Sequence, residues 1–93
     1  MALTIKFIGA LRNISGKTQL VIGFQKIVSI KEMLSKLSKE LPQLERIFSE
    51  QTNDSTSNSL ILVNGREISV LDGLETKLND GDEIVFVPVV HGG

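Results

Sequence analysis

The 93-residue sequence contains no cysteine, no tryptophan and no tyrosine, and it has one histidine and two prolines. Without cysteine the chain can form no disulfide, no thiolate metal site and no cysteine nucleophile. It has no apolar run near the roughly 20 residues of a membrane-spanning helix, and its first residues lack the pattern of a secretory signal. We therefore expect a single cytoplasmic domain, residues 1–93, that is stabilised by its hydrophobic core.

An excess of charge of one sign is also missing. Ten lysines and arginines stand against eleven aspartates and glutamates, for a net charge of −1, and the two signs are mixed along the chain. Proteins that bind nucleic acids or anionic membranes directly concentrate positive charge. The sequence therefore favours neither kind of partner. Its 41% hydrophobic and 23% charged residues are ordinary for a globular protein.

Alternating apolar residues predict two strands at the start of the chain. In residues 3–8 the side chains of Leu3, Ile5 and Phe7 share one face. Residues 18–24 alternate in the same way, and we expect the two strands to pair antiparallel. Residues 9–16 break the alternation and predict a connection with a short helical turn.

The main helix is predicted from its cap. Ser29 and Glu32 have the spacing of a capping box, and Pro42 prevents easy continuation. Between these signals the apolar residues recur every three or four positions and form one stripe, namely Ile30, Met33, Leu34, Leu37 and Leu41. A short extra helical turn is expected around Phe48. Residues 49–59 contain no apolar residue and predict a solvated loop.

The second half of the chain predicts the rest of the sheet. Residues 60–63 form an apolar strand, and Asn64-Gly65 is a strong hairpin signal before a short strand at residues 66–68. A connector and a tight turn at residues 79–82 lead to a final strand at residues 83–87. We expect an α+β fold, with a mixed sheet of about five strands and one main helix packed across one face. Pairing of the final strand with the first would make it a β-grasp.

The last residues of the sequence are the strongest functional candidate. Gly92 and Gly93 have no Cβ, so this end can enter a narrow slot in another protein, and we expect the carboxylate of Gly93 to be the reacting group. We predict a flexible tail over residues 88–93 that lies extended along a partner. Its contacts would come from the four residues before the glycines, Pro88, Val89, Val90 and His91.

Two valines of the final strand are candidates for a docking surface. Val85 and Val87 alternate with Ile84 and Phe86, so we expect them to face away from the helix and to be exposed beside the tail. The β propensity of valine explains the same pattern without any docking role. Ile8 and Arg12, near the neighbouring strand, are predicted contacts at the rim.

Catalysis by this chain alone is not favoured. A histidine base needs an orienting partner, and a tail offers none to His91. We interpret residues 80–83 as a turn, because they lack the alternating ligands of a calcium loop. No metal site is expected.

Three segments resemble the MoaD/ThiS family of ubiquitin-like sulfur carriers, most closely the small subunit of molybdopterin synthase. They are residues 7–16, residues 61–65 and residues 78–84, the last followed by Pro88 and the terminal glycines. The usual ending of that family has two consecutive prolines and a small residue before the glycines, and the chain departs from it with Val87-Pro88-Val89-Val90-His91. Its His-Gly-Gly end is similar to that of the eukaryotic ubiquitin-related modifier.

The resemblance implies a carrier that binds no cofactor itself. An E1-like adenylating enzyme would use ATP and Mg²⁺ to activate Gly93, and a sulfurtransferase or other persulfide donor would supply sulfur for a thiocarboxylate. The acceptor would be a pterin precursor on the large subunit of molybdopterin synthase. The alternatives are a modifier attached to lysines, a sulfur carrier for tRNA thiolation, and a plain interaction domain with an incidental Gly-Gly.

Overall fold

The computed structural model describes residues 1–52 and 59–89. The strands in chain order are β1 (Ala2–Phe7), β2 (Gln19–Gly23), β3 (Val28–Ser29), β4 (Ser59–Val63), β5 (Arg66–Glu67), β6 (Lys77–Leu78) and β7 (Glu83–Pro88). The helices are α1 (Ala10–Ser15), α2 (Ile30–Glu40) and α3 (Glu45–Thr52). Single 3₁₀ turns occupy Pro42–Leu44, Ile68–Val70 and Gly73–Glu75.

Five strands form one mixed sheet in the order β2-β1-β7-β4-β5. β7 lies in the middle, parallel to β1 and antiparallel to β4. β1 and β2 pair antiparallel, as the sequence predicts. The prediction that the final strand lies beside the first is therefore confirmed, together with the α+β class and the mixed five-stranded sheet.

The core lies between the sheet and α2. Strand alternation turns one face of β1 and β7 toward the helix, and α2 buries its apolar stripe against that face. Three phenylalanines fill the centre: the ring centroids of Phe7 and Phe86 are 5.8 Å apart, and those of Phe48 and Phe86 are 5.3 Å apart. Such aromatic contacts add to the free energy of burial, so α3, which carries Phe48, is fixed to the sheet.

The predicted capping box is present at the start of α2. The Ser29 hydroxyl accepts a hydrogen bond from the Glu32 amide at 3.2 Å, and the Glu32 carboxylate accepts one from the Ser29 amide at 3.0 Å. The bond from the Ser29 amide lowers the pKa of Glu32, because it stabilises the ionised carboxylate. The helix therefore begins where the local sequence predicts.

The prediction was wrong for the segment after α2. We expected one short helical turn and then a loop over residues 49–59, whereas α3 extends from Glu45 to Thr52 and β4 already begins at Ser59. The helix is anchored by Phe48, which is buried against the Phe86 ring, and such tertiary packing can sustain a helix that has no continuous apolar stripe. Residues 53–58 of the predicted loop lie outside the described residues.

A second sheet of two short strands was not predicted. β3 and β6 pair antiparallel with only two residues each, Val28 with Leu78 and Ser29 with Lys77. Two residues cannot show an alternating pattern, so the sequence carries no local signal for them. The short strand expected at residues 66–68 is likewise only two residues long, because Ile68 begins a 3₁₀ turn.

Within the described part of the chain, no helix combines the length and the apolar character needed to cross a membrane.

Candidate docking surface and tail exit

The final strand delivers the tail from the middle of the sheet. β7 runs to Pro88, one residue farther than predicted, and Pro88 pairs with Ser59 of β4. Val89 follows directly and is half-buried. The other predicted tail residues, Val90, His91, Gly92 and Gly93, lie outside the described residues. β7 itself is held on both sides, because it pairs with β1 and with β4.

Gly9 lies beside the end of β7, on the side of β1. It joins β1 to α1 with φ 61° and ψ −136°, a conformation that is essentially limited to glycine. A Cβ built at Gly9 would lie 3.2 Å from the Cγ of Pro88. Only glycine therefore lets the chain turn into α1 so close to the Pro88 ring.

Val85 and Val87 lie on the face of the sheet opposite α2, as predicted, and we call this side the open face. Both are half-buried rather than exposed, because each has a leucine of β4 beside it. Val87 pairs with Leu60, and Val85 pairs with Leu62. Directly opposed residues of an antiparallel pair share a face, so the four side chains form one apolar patch, which we call the open-face patch.

The patch extends to the tail exit. Ile8 is 37% exposed, and its amide donates a hydrogen bond to the Phe86 carbonyl at 3.1 Å, which sets Ile8 beside Val87. Leu60 is 43% exposed. Arg12 is exposed on α1 and its Nε donates to the Phe7 carbonyl at 3.2 Å. Ile8 therefore lies at the edge of the patch and Arg12 lies on α1, while their contacts with a partner stay predictions. Leu60 is an exposed member of the patch that we did not predict.

Charged groups lie at the other end of the patch. The Nζ of Lys6 is 2.9 Å from the Oε2 of Glu83, and both side chains are partly exposed. Lys6 pairs with Val85 across β1 and β7, and Glu83 begins β7. An exposed ion pair of this kind stabilises the fold by about 1 kcal/mol or less. It does, however, limit the apolar surface to the half of the sheet nearest the tail.

The turn before β7 is structural, as the sequence indicates. The Asp82 carboxylate accepts hydrogen bonds from the Asn79 amide at 2.7 Å and from the Asn64 side chain at 2.9 Å. The Asp80 carboxylate accepts one from the Ala2 amide at 2.8 Å. These carboxylates join the turn to β1 and to the hairpin. Among the described residues, no three of His, Asp and Glu come together as metal ligands.

A shallow groove on the helix side also adjoins the exit. Pro88 and Val89 line it together with residues of α1 and α3, including Ile14 and Ile47. Ile14 is 45% exposed. This groove was not predicted, because it forms only where α1 and α3 pack beside the end of β7. The sequence signal that could have indicated the groove was Ile14, an isoleucine in a short helix.

The geometry suits presentation of a chain end to another protein. Several half-buried and exposed apolar side chains surround the strand that carries the tail, and such surfaces mark interaction sites.

Comparison with known proteins agrees with this arrangement. The small archaeal modifier protein 3 of Haloferax volcanii is 29% identical over 93 residues, which is the full length of both chains. The solution structure of the small archaeal modifier protein 1 of Methanosarcina acetivorans matches with a TM-score of 0.78 and 28% identity, over 99% of this chain and 96% of that one.

A third comparison shows the same fold at lower similarity. A chain in the complex of subunits 1 and 2 of the molybdopterin-converting factor of Helicobacter pylori matches with a TM-score of 0.62 and 24% identity, over the full length of both chains. The β-grasp fold predicted from the sequence is thereby confirmed. The sequence profile of the ThiS family matches residues 5–93. The chain therefore belongs to the ThiS family of ubiquitin-like sulfur carriers.

Proposed function

We infer that this protein is a cytoplasmic sulfur carrier that acts through the carboxylate of Gly93. The observation that carries the inference is the position of β7, a central strand that ends at Pro88 beside the open-face patch. When a tail leaves a sheet next to an apolar surface, a single partner can bind the surface and enclose the tail in its active site. The match to the ThiS family through residue 93 supports the same reading.

The first step is activation by an E1-like adenylating enzyme. A carboxylate is a poor electrophile, so the Gly93 oxygen attacks the α-phosphate of Mg²⁺-bound ATP, and pyrophosphate leaves. The product is an acyl adenylate. The role of the present chain is to bind through the open-face patch and to extend Pro88, Val89, Val90 and His91 into the enzyme. Proline at the base of the tail reduces the conformational freedom that docking removes.

The second step introduces sulfur. A persulfide on a sulfurtransferase attacks the carbonyl carbon of Gly93, and AMP leaves. A thiol of the partner then cleaves the resulting acyl disulfide, which oxidises the two partner sulfurs to a disulfide and leaves a thiocarboxylate on Gly93. A thiocarboxylate is ionised at neutral pH and is a good nucleophile, as low-pKa thiolates are.

For the final acceptor we propose the pterin precursor bound by a large synthase subunit, so that the protein serves as the small subunit of molybdopterin synthase. The full-length similarity to a small archaeal modifier protein favours a second candidate, isopeptide attachment of Gly93 to lysines of other proteins. Sulfur donation to tRNA through a thiolation enzyme would use the same activated end. The adenylation of Gly93 is common to these roles, whereas the thiocarboxylate is needed only for sulfur donation.

Intact mass spectrometry tests the sulfur-carrier chemistry. The chain is incubated with its adenylating enzyme, ATP, Mg²⁺ and a persulfide donor, and we expect the mass change of one oxygen exchanged for one sulfur. A chain lacking Gly93 is the matched control and should show neither adenylate nor thiocarboxylate. An unchanged mass for the intact chain, with an active enzyme, would contradict the proposal.

A single substitution separates the two acceptors. Trypsin cleaves after lysine and arginine, and the last such residue before the tail is Lys77, so a modified lysine would carry a long remnant. With His91→Arg, trypsin would leave only Gly-Gly on the target lysine. Such remnants in cell extracts would favour the modifier role. Conversion of the pterin precursor to its dithiolene, with purified large subunit, would favour the synthase role.

A further inference from the structure

The free edge of β2 has no role in the proposed sulfur transfer. β2 is an end strand of the described sheet and lies beside β1. The Phe24 amide donates to the Met1 carbonyl, and the Phe7 amide donates to the Thr18 carbonyl. Bonded and non-bonded pairs alternate in an antiparallel ladder. The residues whose N–H and C=O groups face away from β1 are therefore Gln19, Val21 and Gly23.

A groove adjoins the Gly23 end of this edge, between residues 24–28 and α2. Two adjoining hollows of about 630 and 530 Å³ share the same walls, which are Phe24, Lys26, Val28 and Lys36. Phe24 is half-buried and packs against the core, and Val28 is buried. The groove thus has an apolar floor, and its volume is in the range of sites that accept several side chains.

The walls of the groove are positively charged. Lys26, Lys36 and Lys39 line it, and Glu32 is the one carboxylate among the lining residues. The Glu32 carboxylate is already engaged, because it accepts the hydrogen bond from Ser29 and lies 3.9 Å from the Nζ of Lys26. The chain as a whole carries a net charge of −1. Positive charge is therefore concentrated here, and a ligand with carboxylates complements it.

Lys36 connects the groove to the strand edge. Its Nζ donates to the Gly23 carbonyl and lies 4.6 Å from the centroid of the Phe24 ring. The Lys36 side chain thus covers the backbone of β2 at Gly23. The middle of the edge remains accessible, since Val21 as a whole residue is 62% exposed.

We propose that this surface binds an extended peptide segment of a partner protein, in which apolar residues adjoin a run of aspartates and glutamates. The segment pairs with the outward N–H and C=O of Val21 and extends the sheet by one strand. Its apolar side chains contact Phe24 and Val28, and its carboxylates contact Lys36 and Lys39. Unpaired strand edges with accessible backbone groups are the sites at which such strand addition occurs.

A fluorescein-labelled peptide of alternating valine and isoleucine followed by consecutive Asp and Glu is a suitable probe. We expect saturable binding by anisotropy, with the largest amide NMR shifts in Gln19–Gly23. Val21→Pro removes the outward N–H but none of the hydrogen bonds to β1, and it should weaken binding at least about tenfold. Val21→Thr keeps the N–H and the β-branched shape, so it should bind as the parent does.

Charge is tested in the same assay. Lys36→Glu should weaken binding of the acidic peptide at least about tenfold, because it places a carboxylate against the peptide's own. Arg66→Glu makes the same change in net charge at the opposite edge of the sheet, and its effect should be within about twofold because salt screens distant charges. If Val21→Pro does not fold, judged by the dispersion of its amide NMR spectrum, Lys36→Glu still tests whether the acidic peptide binds at this surface.

Several results would overturn the proposal. They are no saturable binding, equal affinity for a peptide with lysines in place of the acids, unchanged binding to Val21→Pro, and shifts confined to β5 or the open face. Self-association of the chain through β2 would overturn it as well. A chain lacking Gly93 should bind the peptide with unchanged affinity, so this test is independent of sulfur transfer.

Discussion

Gly9 and Pro88 are in contact, although 78 residues separate them in the sequence, and a Cβ on Gly9 would lie 3.2 Å from the Pro88 Cγ. The contact joins the turn after β1 to the last residue of β7. It fixes the base of the tail from the side that β4 does not cover. The direction in which the tail leaves the sheet thus depends on a glycine at the other end of the chain.

Gly9→Ala is expected to lower the free energy of unfolding by about 2–3 kcal/mol, from backbone strain at positive φ together with the contact with Pro88. Gly16→Ala is the matched control. Gly16 also has positive φ, 75°, but no atom lies within 4 Å of a Cβ there, so strain alone should cost about 1–2 kcal/mol. Urea unfolding measures both. Adenylation should be slower for Gly9→Ala only, and equal losses for the two variants would refute a special role of the Pro88 contact.

Leu60→Asp is expected to weaken docking to the adenylating enzyme. Leu60 is exposed and pairs with Val87 in the open-face patch, so a carboxylate there would have to be desolvated on binding. We expect KM for the carrier to rise at least about tenfold, equivalent to about 1.4 kcal/mol, with little change in kcat.

Val21→Asp provides the control for this experiment. Val21 is exposed on the same face but belongs to the edge strand β2. Its KM should stay within about twofold of the parent value, since it lies outside the patch. If the two substitutions raise KM equally, the open-face patch is not the docking surface.

The capping box predicts a pH-dependent stability. The lowered pKa of Glu32 means that its ionised form is favoured by folding, so the stabilisation is present above the pKa of the unfolded chain. It is lost as the pH falls through the lower pKa of the folded state. Glu32→Gln should therefore lower the urea midpoint at pH 7, and the difference should shrink between about pH 5 and pH 3.

Glutamine can keep the reach of the capping box while it lacks the charge, so this substitution isolates the ionised carboxylate. Glu40→Gln is its control. Glu40 lies in the last turn of the same helix, where a negative charge is unfavourable, and its removal should not lower the midpoint at pH 7. A loss for Glu32→Gln that is constant with pH would show that charge does not stabilise the cap.

Phe48→Ala is expected to destabilise the domain by about 3–5 kcal/mol. Phe48 is 1% exposed and contacts the Phe86 ring, so its removal would leave a cavity under α3. Phe24→Ala should lower the free energy of unfolding by a smaller amount, because Phe24 is only half-buried at the edge of the sheet. Calorimetric or urea unfolding compares them. Equal costs would mean that α3 contributes little to the core.

The sequence predicted the features that rest on neighbouring residues. Ser29 and Glu32 indicate where α2 begins, because both hydrogen bonds of a capping box form within one helical turn. Alternation set the faces of β1 and β7, so Phe7 and Phe86 were correctly assigned to the core and Val87 to the open face. These signals are local and physical, and the structure confirms them.

Apart from the pairing of β1 with β7, which the expected β-grasp fold implied, features that rest on distant residues were not predicted. The β3 strand exists because Val28 meets Leu78, and the exit of the tail is shaped by contact between Gly9 and Pro88. Neither contact has a signature in the residues around it. Alternation also predicted correctly which face of the sheet carries Val85 and Val87. It did not predict that they are half-buried, because their exposure depends on the leucines of β4 that lie beside them.

The parallel pairing of β1 and β7 also has a mechanical consequence. A pull on the tail, once it is joined to a partner, is directed along β7 while β1 and β4 hold that strand on both sides. The hydrogen bonds from Glu83 to Phe86 are then loaded together in shear, so no single bond at the strand end can open first. A domain joined to a partner through its tail, as proposed above, would therefore keep its fold under traction.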